Sequence, residues 1–207
     1  VNNSTQSLIE AVNNATCAIT LLKAVQALAA QQDPEAITTL ITVLGYNNPG
    51  AAVAAVEGLV ALGQVVIVPL LEQVDEYNYG ARAWAVRVFA GIGDPRALDL
   101  LMTSAVEDFS PSVRRAAAKG LGNILWSQLL PEEIPLSKQK VLNTLFLTLT
   151  DPEWIVRYAG VVGLESLAKS NQSLIESIST KLTQVKKQEA EITINARIDL
   201  ALITLAD

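Results

Sequence analysis

Residues 33–63 read DPEAITTLITVLGYNNPGAAVAAVEGLVALG, and this stretch decides the fold. Asp33 is a capping residue type, and Pro34 suits the first helical position, where its missing N–H costs nothing. Ile37, Leu40, Ile41 and Leu44 then recur at i, i+3, i+4 and i+7, the stripe of an amphipathic helix. Gly45 ends that pattern. Asn48-Pro49 opens a second helical pattern, rich in small residues from Ala51 to Leu62, and Gly63 closes it. The stretch is therefore two short helices, each with its own start and stop. Neither can bury its apolar face alone.

The pair recurs along the chain. DPRALDLLMTSAV from Asp94 repeats the first helix, and SPSVRRAAAKGLG from Ser110 repeats the second. Four second-type helices align at Ala52, Arg82, Arg114 and Arg157: NNPGAAVAAVEGLVALG, YNYGARAWAVRVFAGIG, FSPSVRRAAAKGLGNIL and EWIVRYAGVVGLESLA. Six residues after the anchor stand Gly58, Val88, Gly120 and Gly163; seven after it stand Leu59, Phe89, Leu121 and Leu164. The anchors are 30, 32 and 43 residues apart, the last interval lengthened by WSQLLPEEIPLSKQ. An earlier copy, LLKAVQALAA, puts Leu28 in the place of Leu59, and ARIDLALITLAD is a weaker late copy. A period of about 30 residues without a strand pattern marks a helical repeat array, in which stacked units share one core. The reading is all-α: an α-solenoid of five to six stacked HEAT-like helix pairs, forming a single domain over residues 1–207. Helix faces rich in Ala and Gly, such as Ala51-Ala52 and Ala116-Ala117-Ala118, let neighbouring helices approach closely.

Composition narrows the function. Half of the 207 residues are hydrophobic, too many for disorder. With 15 Lys and Arg against 21 Asp and Glu, the net charge is −6 and there is no basic tract. Nucleic acid and anionic membranes are thus poor partners. No run of about 18 apolar residues is read in the chain, so no membrane insertion is expected. The opening VNNSTQSLIE lacks the basic and apolar regions of a signal peptide.

Histidine is absent, and Cys17 is the one cysteine. Serine–histidine and cysteine–histidine catalysis and His- or thiolate-bound zinc are excluded, so no metal is expected. Cys17 lies within NNATCAITLLKAVQALAA, with no cation adjacent, and is expected to be a small buried thiol. A single cysteine suits a reducing compartment. Chemistry is left to Asp, Glu, Tyr, Arg, Lys, or a bound molecule's own reactivity.

Residues 77–84, YNYGARAW, depart from the bland NNPGAAVA of the preceding unit. One reading sends Tyr77, Asn78, Tyr79 and Arg82 into a concave groove, where flat aromatic faces and fork-shaped guanidinium groups suit a conjugated ligand bearing carboxylates. The other packs Tyr77 and Trp84 between repeats and pairs Arg82 and Arg87 with Asp75, Glu76 or Asp94. The next copy adds Arg114, Arg115, Lys119 and Trp126. Arg114 holds the anchor position, where an arginine ladders to an acid of the neighbouring repeat; Arg115 is freer. DPEWIVRYAG brings Asp151, Trp154, Arg157 and Tyr158 to the same place one repeat later. Three such clusters in successive repeats would line one edge of a solenoid. The pairs Asp75-Glu76, Glu107-Asp108 and Glu132-Glu133 are adjacent in sequence and do not face each other on a helix.

From about Leu22 to Ala168, these segments closely resemble the phycobilisome lyase HEAT-like repeat family. Within it they are similar to the F-type subunits of heterodimeric E/F-type phycocyanobilin lyases. The resemblance carries on LGYNNPGAAVAAVEGLVALG, YNYGARAWAVRVFAGIGDPRALD and DFSPSVRRAAAKGLGN. It implies attachment of phycocyanobilin, as substrate rather than cofactor, by a thioether to a cysteine of the phycocyanin α-subunit. It implies an E-type partner subunit, and a cyanobacterial cytoplasm or a plastid stroma. On this resemblance Arg82, Arg87 or Arg115 would hold bilin propionates. Tyr77, Tyr79, Trp84 and Trp126 would stack on or enclose pyrrole rings, with Asn78 beside them. Asp94, Asp108 or a carboxylate of the partner subunit is the candidate acid for protonating the bilin. Related lyase-isomerases carry a His-Cys dipeptide at the Tyr79-Gly80 position; this chain has neither, which implies addition without isomerisation. A bilin carrier, a phycobilisome chaperone or a bilin-detaching protein of the same repeat family is the alternative.

Overall fold

The structure, a computed structural model, describes residues 3–73 and 78–206. The described residues are helical, with no strand. They form two compact units, residues 1–92 and 93–207. The first unit holds α1 (Asn3–Asn13), α2 (Ala18–Ala30), α3 (Ile37–Val43), α4 (Pro49–Leu62), α5 (Ile67–Gln73) and α6 (Tyr79–Ile92). The second holds α7 (Leu98–Glu107), α8 (Pro111–Leu121), α9 (Ile134–Thr148), α10 (Trp154–Lys169), α11 (Ile175–Lys186) and α12 (Ile192–Ala206). Taken in order, each unit is three helix pairs. In the first, α2, α4 and α6 stack as one layer and α3 and α5 touch in the other. In the second, α8, α10 and α12 form one layer, with α7 against α9 in the other. This is the layered arrangement of an α-solenoid of HEAT-like pairs.

Local signals place the elements much as the sequence anticipates. Asp33 Oδ1 accepts the Glu35 N–H at 3.0 Å and starts the short 3₁₀ turn Pro34–Ala36 that leads into α3. Asp94 does the same for Pro95–Ala97 through the Arg96 N–H at 2.9 Å. Asn48 Oδ1 caps α4 by accepting the Ala51 N–H at 3.1 Å. The anchored leucines and phenylalanine occupy equivalent core positions: Leu59, Phe89, Leu121 and Leu164 are all fully buried. Each contributes about 1.5–3 kcal/mol of apolar burial. The small-residue faces act as expected. A Cβ on Gly163 would sit 2.4 Å from the Ala118 carbonyl oxygen, so α10 approaches α8 more closely there than any side chain allows.

One expectation holds against an apolar stretch and one needs correction. Residues 49–73 form a long, strongly apolar stretch. They fold as two helices. Gly63 turns the chain at φ 73, and α4 is only 14 residues, about 21 Å, against the roughly 30 Å of a bilayer core. Ala51, Ala52, Ala55 and Leu59 of α4 are buried within their unit. Cys17 is exposed rather than buried. It stands just before α2, where its N–H donates to Thr20 Oγ1 at 3.2 Å and its thiol lies 3.3 Å from the same oxygen. The Thr20 hydroxyl draws the thiol's pKa below its ordinary value. The residue begins a helix, and the apolar stripe starts only after it.

Candidate functional site

The second unit carries a ladder of charged groups. Arg114 on α8 grips Asp151 with two bonds, Nε to Oδ2 at 2.7 Å and Nη2 to Oδ1 at 3.0 Å. Its Nη1 also donates to the backbone oxygens of Asp108 and Phe109. Arg157 on α10 repeats the pattern one unit on: Nε and Nη2 reach Glu189 at 2.8 and 3.0 Å, and Nη1 reaches the carbonyls of Asp151 and Pro152. Asn195 on α12 ends it, donating to the Glu189 carbonyl at 2.9 Å. These groups are largely buried, so each arginine is consumed in joining repeats. The structural assignment of Arg114 to a ladder is thereby met. Arg82 occupies the same register on α6.

The residue after the ladder arginine faces elsewhere. Arg115 lines an open pocket of about 320 Å³ with Trp154, Ile155, Tyr158 and Thr193, drawn from α8, α10 and α12. Trp154 is 46% exposed. The Arg197 guanidinium lies 5.9 Å from the Tyr158 ring and is anchored by Glu165, which also binds Lys169. Burial works to raise the Glu165 pKa, but the bonds from Lys169 and Arg197 outweigh it and hold the carboxylate below its usual range. Arg115 thus joins the aromatic pair Trp154 and Tyr158, which the sequence places in the corresponding copy. Thr193 and Ile155 carry no distinguishing signal in sequence.

The α6 residues behave differently. Asn78 is the N-cap of α6: its Oδ1 accepts the Ala81 N–H at 3.1 Å, matching Asn48 on α4. Tyr79 is exposed at 56%. Trp84 and Arg87 are half-buried and lie against each other, with the guanidinium 4.4 Å from the indole centroid. Arg87 Nη1 also donates to the Ala83 carbonyl at 3.3 Å. Arg82 is half-buried and engaged. Tyr77, with Asp75 and Glu76, lies outside the described residues. Among the described residues Asn78 is thus engaged as a cap, and Trp84 and Arg87 lie against each other.

Three other candidates are displaced from the roles the resemblance implies. Trp126, the first residue of the insertion, is 8% exposed and sits in the core, with Lys138 Nζ 5.6 Å from its ring. It offers no face for enclosing a ligand ring. Asp94 is 1% exposed and holds a bidentate pair with Arg96, 2.9 and 2.7 Å. The Arg96 guanidinium lowers its pKa, which makes it a fixed anion and a poor proton donor. Asp108 is 6% exposed, and its Oδ1 accepts the Ser110 N–H at 2.8 Å, a cap ahead of α8.

The stacked pairs and the ladder define a HEAT-type helical-repeat protein, and comparison with known proteins agrees. Residues 67–165 match the model of HEAT repeats, and residues 21–46 match the PBS lyase HEAT-like repeat. The phycocyanin alpha phycocyanobilin lyase CpcF of Synechocystis sp. is 50% identical over 93% of this chain and 90% of that protein. The phycocyanobilin lyase subunit beta of Nostoc sp. is 49% identical over 95% of this chain and 98% of that protein. Among solved structures, the complex of CpcE and CpcF of phycocyanin lyase from Nostoc sp. PCC7120 matches with a TM-score of 0.78 at 50% identity, over 82% of this chain and 99% of that one. The chain belongs to the phycobilisome lyase HEAT-like repeat family, among the F-type phycocyanobilin lyase subunits.

Proposed function

We propose that this chain is the F-type subunit of a heterodimeric bilin lyase, which with an E-type partner attaches phycocyanobilin to a cysteine of the phycocyanin α-subunit. The observation that carries the reading is near-50% identity along nine-tenths or more of this chain and of two proteins that bear those names. The reaction is an addition. The acceptor thiol's sulfur bonds to the bilin's ethylidene carbon, the carbon–carbon π bond opens, and the thiol proton ends on the adjoining ring carbon. Nothing leaves, and no oxidant is needed. The reactive cysteine belongs to the acceptor, which is why a lyase subunit without histidine or a buried activated thiol is chemically adequate. Its contribution is to hold bilin and apoprotein in attack geometry and to exclude wrong addition.

Finer points belong to the same proposal. Tyr79-Gly80 in place of His-Cys supports addition without isomerisation. Tyr79 and Arg115 are the candidates best exposed to reach bilin; the proton donor is a group other than the paired Asp94. Action in the cyanobacterial cytoplasm fits the organisms of the relatives and the single cysteine. The test mixes the chain with phycocyanobilin and apo-phycocyanin α-subunit, with and without an E-type subunit, and follows acid-stable pigment. Covalent product only with the partner is expected. A shift in bilin absorbance with no product under either condition would replace the reading by that of a carrier or chaperone.

A further inference from the structure

Of the seven arginines, six are committed: Arg96, Arg114, Arg157 and Arg197 to carboxylates, and Arg82 and Arg87 to contacts of their own. Arg115 has no ion pair or hydrogen bond among the described residues, and it is exposed at a pocket wall. A second observation is independent of charge. The first residue of the second-type helices is proline in α4 and α8, Pro49 and Pro111, which serves helix initiation. In α10 that place is taken by Trp154, an exposed residue although tryptophan usually buries its large apolar face. The fold of the unit gains neither a cap nor a filled core from it. The Tyr158 ring stands one turn further along α10, beside the anchored Arg197. A free guanidinium, two aromatic rings and a hydroxyl therefore converge on one opening.

We propose that the pocket of Arg115, Trp154, Ile155, Tyr158 and Thr193 is a subsite for one carboxylate-bearing ring of a conjugated linear tetrapyrrole. Arg115 pairs with the propionate, Trp154 and Tyr158 cover the ring, and the Thr193 hydroxyl meets its polar edge. The volume of about 320 Å³ lies at the small end of ligand pockets, roughly 300–1,000 Å³. It suits a single substituted pyrrole and its acid arm, so the remaining rings extend beyond it. The ligand class rests on the lyase reading above; the geometry of the pocket does not.

The experiment titrates the full chain with phycocyanobilin and, separately, with its dimethyl ester, following visible circular dichroism of the pigment. R115Q is expected to weaken binding of the free acid about tenfold or more while leaving the ester unchanged, because only the acid offers a carboxylate. W154L is expected to weaken both forms by a similar factor. R115K should recover part of the acid affinity. Far-ultraviolet dichroism checks folding, which neither exposed residue supports. Native-like acid binding by R115Q, an equal loss for acid and ester, or no binding by the native chain would each overturn the subsite. The product assay with the E-type subunit is scored apart. Binding that depends on Arg115 without covalent product leaves the subsite standing and removes the lyase reading. Product formed normally by R115Q and W154L, with unchanged binding, removes the subsite and leaves the lyase reading.

Discussion

Helices α6 and α10 are copies of the same repeat element, and they use the same residue types to opposite ends. Each begins with an exposed aromatic, Tyr79 or Trp154. Each has an arginine at the ladder register, Arg82 or Arg157. They part at the next position, which is Ala83 in α6 and Tyr158 in α10. In α6 the remaining cation and indole, Arg87 and Trp84, close on each other at 4.4 Å. On α10 the aromatic pair stays open, and α8 contributes Arg115 to the same pocket. A dense run of aromatic and basic residues is therefore not itself a site. What counts is which surface each register position faces.

The comparison is most easily broken at the ladder. Arg114→Ala should destabilise the second unit by about 3–5 kcal/mol, since it strands the buried Asp151 carboxylate. Arg115→Ala, one residue on, should change stability by less than about 0.5 kcal/mol. Urea denaturation of the two variants measures the contrast, and similar losses would erase the division between ladder and pocket. Next in size is Gly163→Ala, which drives a methyl group into the α8 backbone and should cost about 1–3 kcal/mol by spreading α8 from α10. Because that spacing builds the pocket, bilin affinity should fall with it; retained affinity would detach the pocket from helix packing. In the first unit, Asn78→Ala removes the α6 cap and should cost about 1 kcal/mol, with little effect from Asn78→Asp. A large loss of bilin binding from Asn78→Asp, with stability intact, would show a ligand role beyond the cap.

Acid gives the gentlest probe. Arg157 holds the Glu189 carboxylate below its usual range, and Lys169 and Arg197 do so for Glu165. A depressed folded pKa stabilises above the unfolded value, near 4.3 for glutamate, and that contribution disappears as pH falls through the folded value. Thermal midpoints should therefore hold from pH 7 to about 5 and decline below about 4. Glu189→Gln should flatten part of that decline; an unchanged profile would show that the ladder's charge is not what acid titrates.

Much of this was legible before any coordinates. Caps such as Asp33, Asn48 and Asp94, the closing Gly63 and the anchored Leu59, Phe89, Leu121 and Leu164 are local or periodic signals, and each holds its expected place. Arg114 as a ladder residue was readable from its register alone. The site was read less well. YNYGARAW drew attention by composition, yet Asn78 is a cap and Trp84 lies against Arg87. Trp126 drew attention as an aromatic in the next copy, but its side chain is buried. Cys17 looked buried because the stripe after it is apolar, though the helix starts one residue later.

The sequence alone determined the repeat, its period and the helix boundaries, because capping, proline placement and apolar spacing act over a few residues. Only the tertiary structure decided which side chains of those helices are spent and which are open. Successive residues of a helix point about 100° apart. Arg114 and Arg115 are neighbours of identical chemistry, and the packing of α10 against α8 buries one in a ladder and leaves the other at the mouth of a pocket.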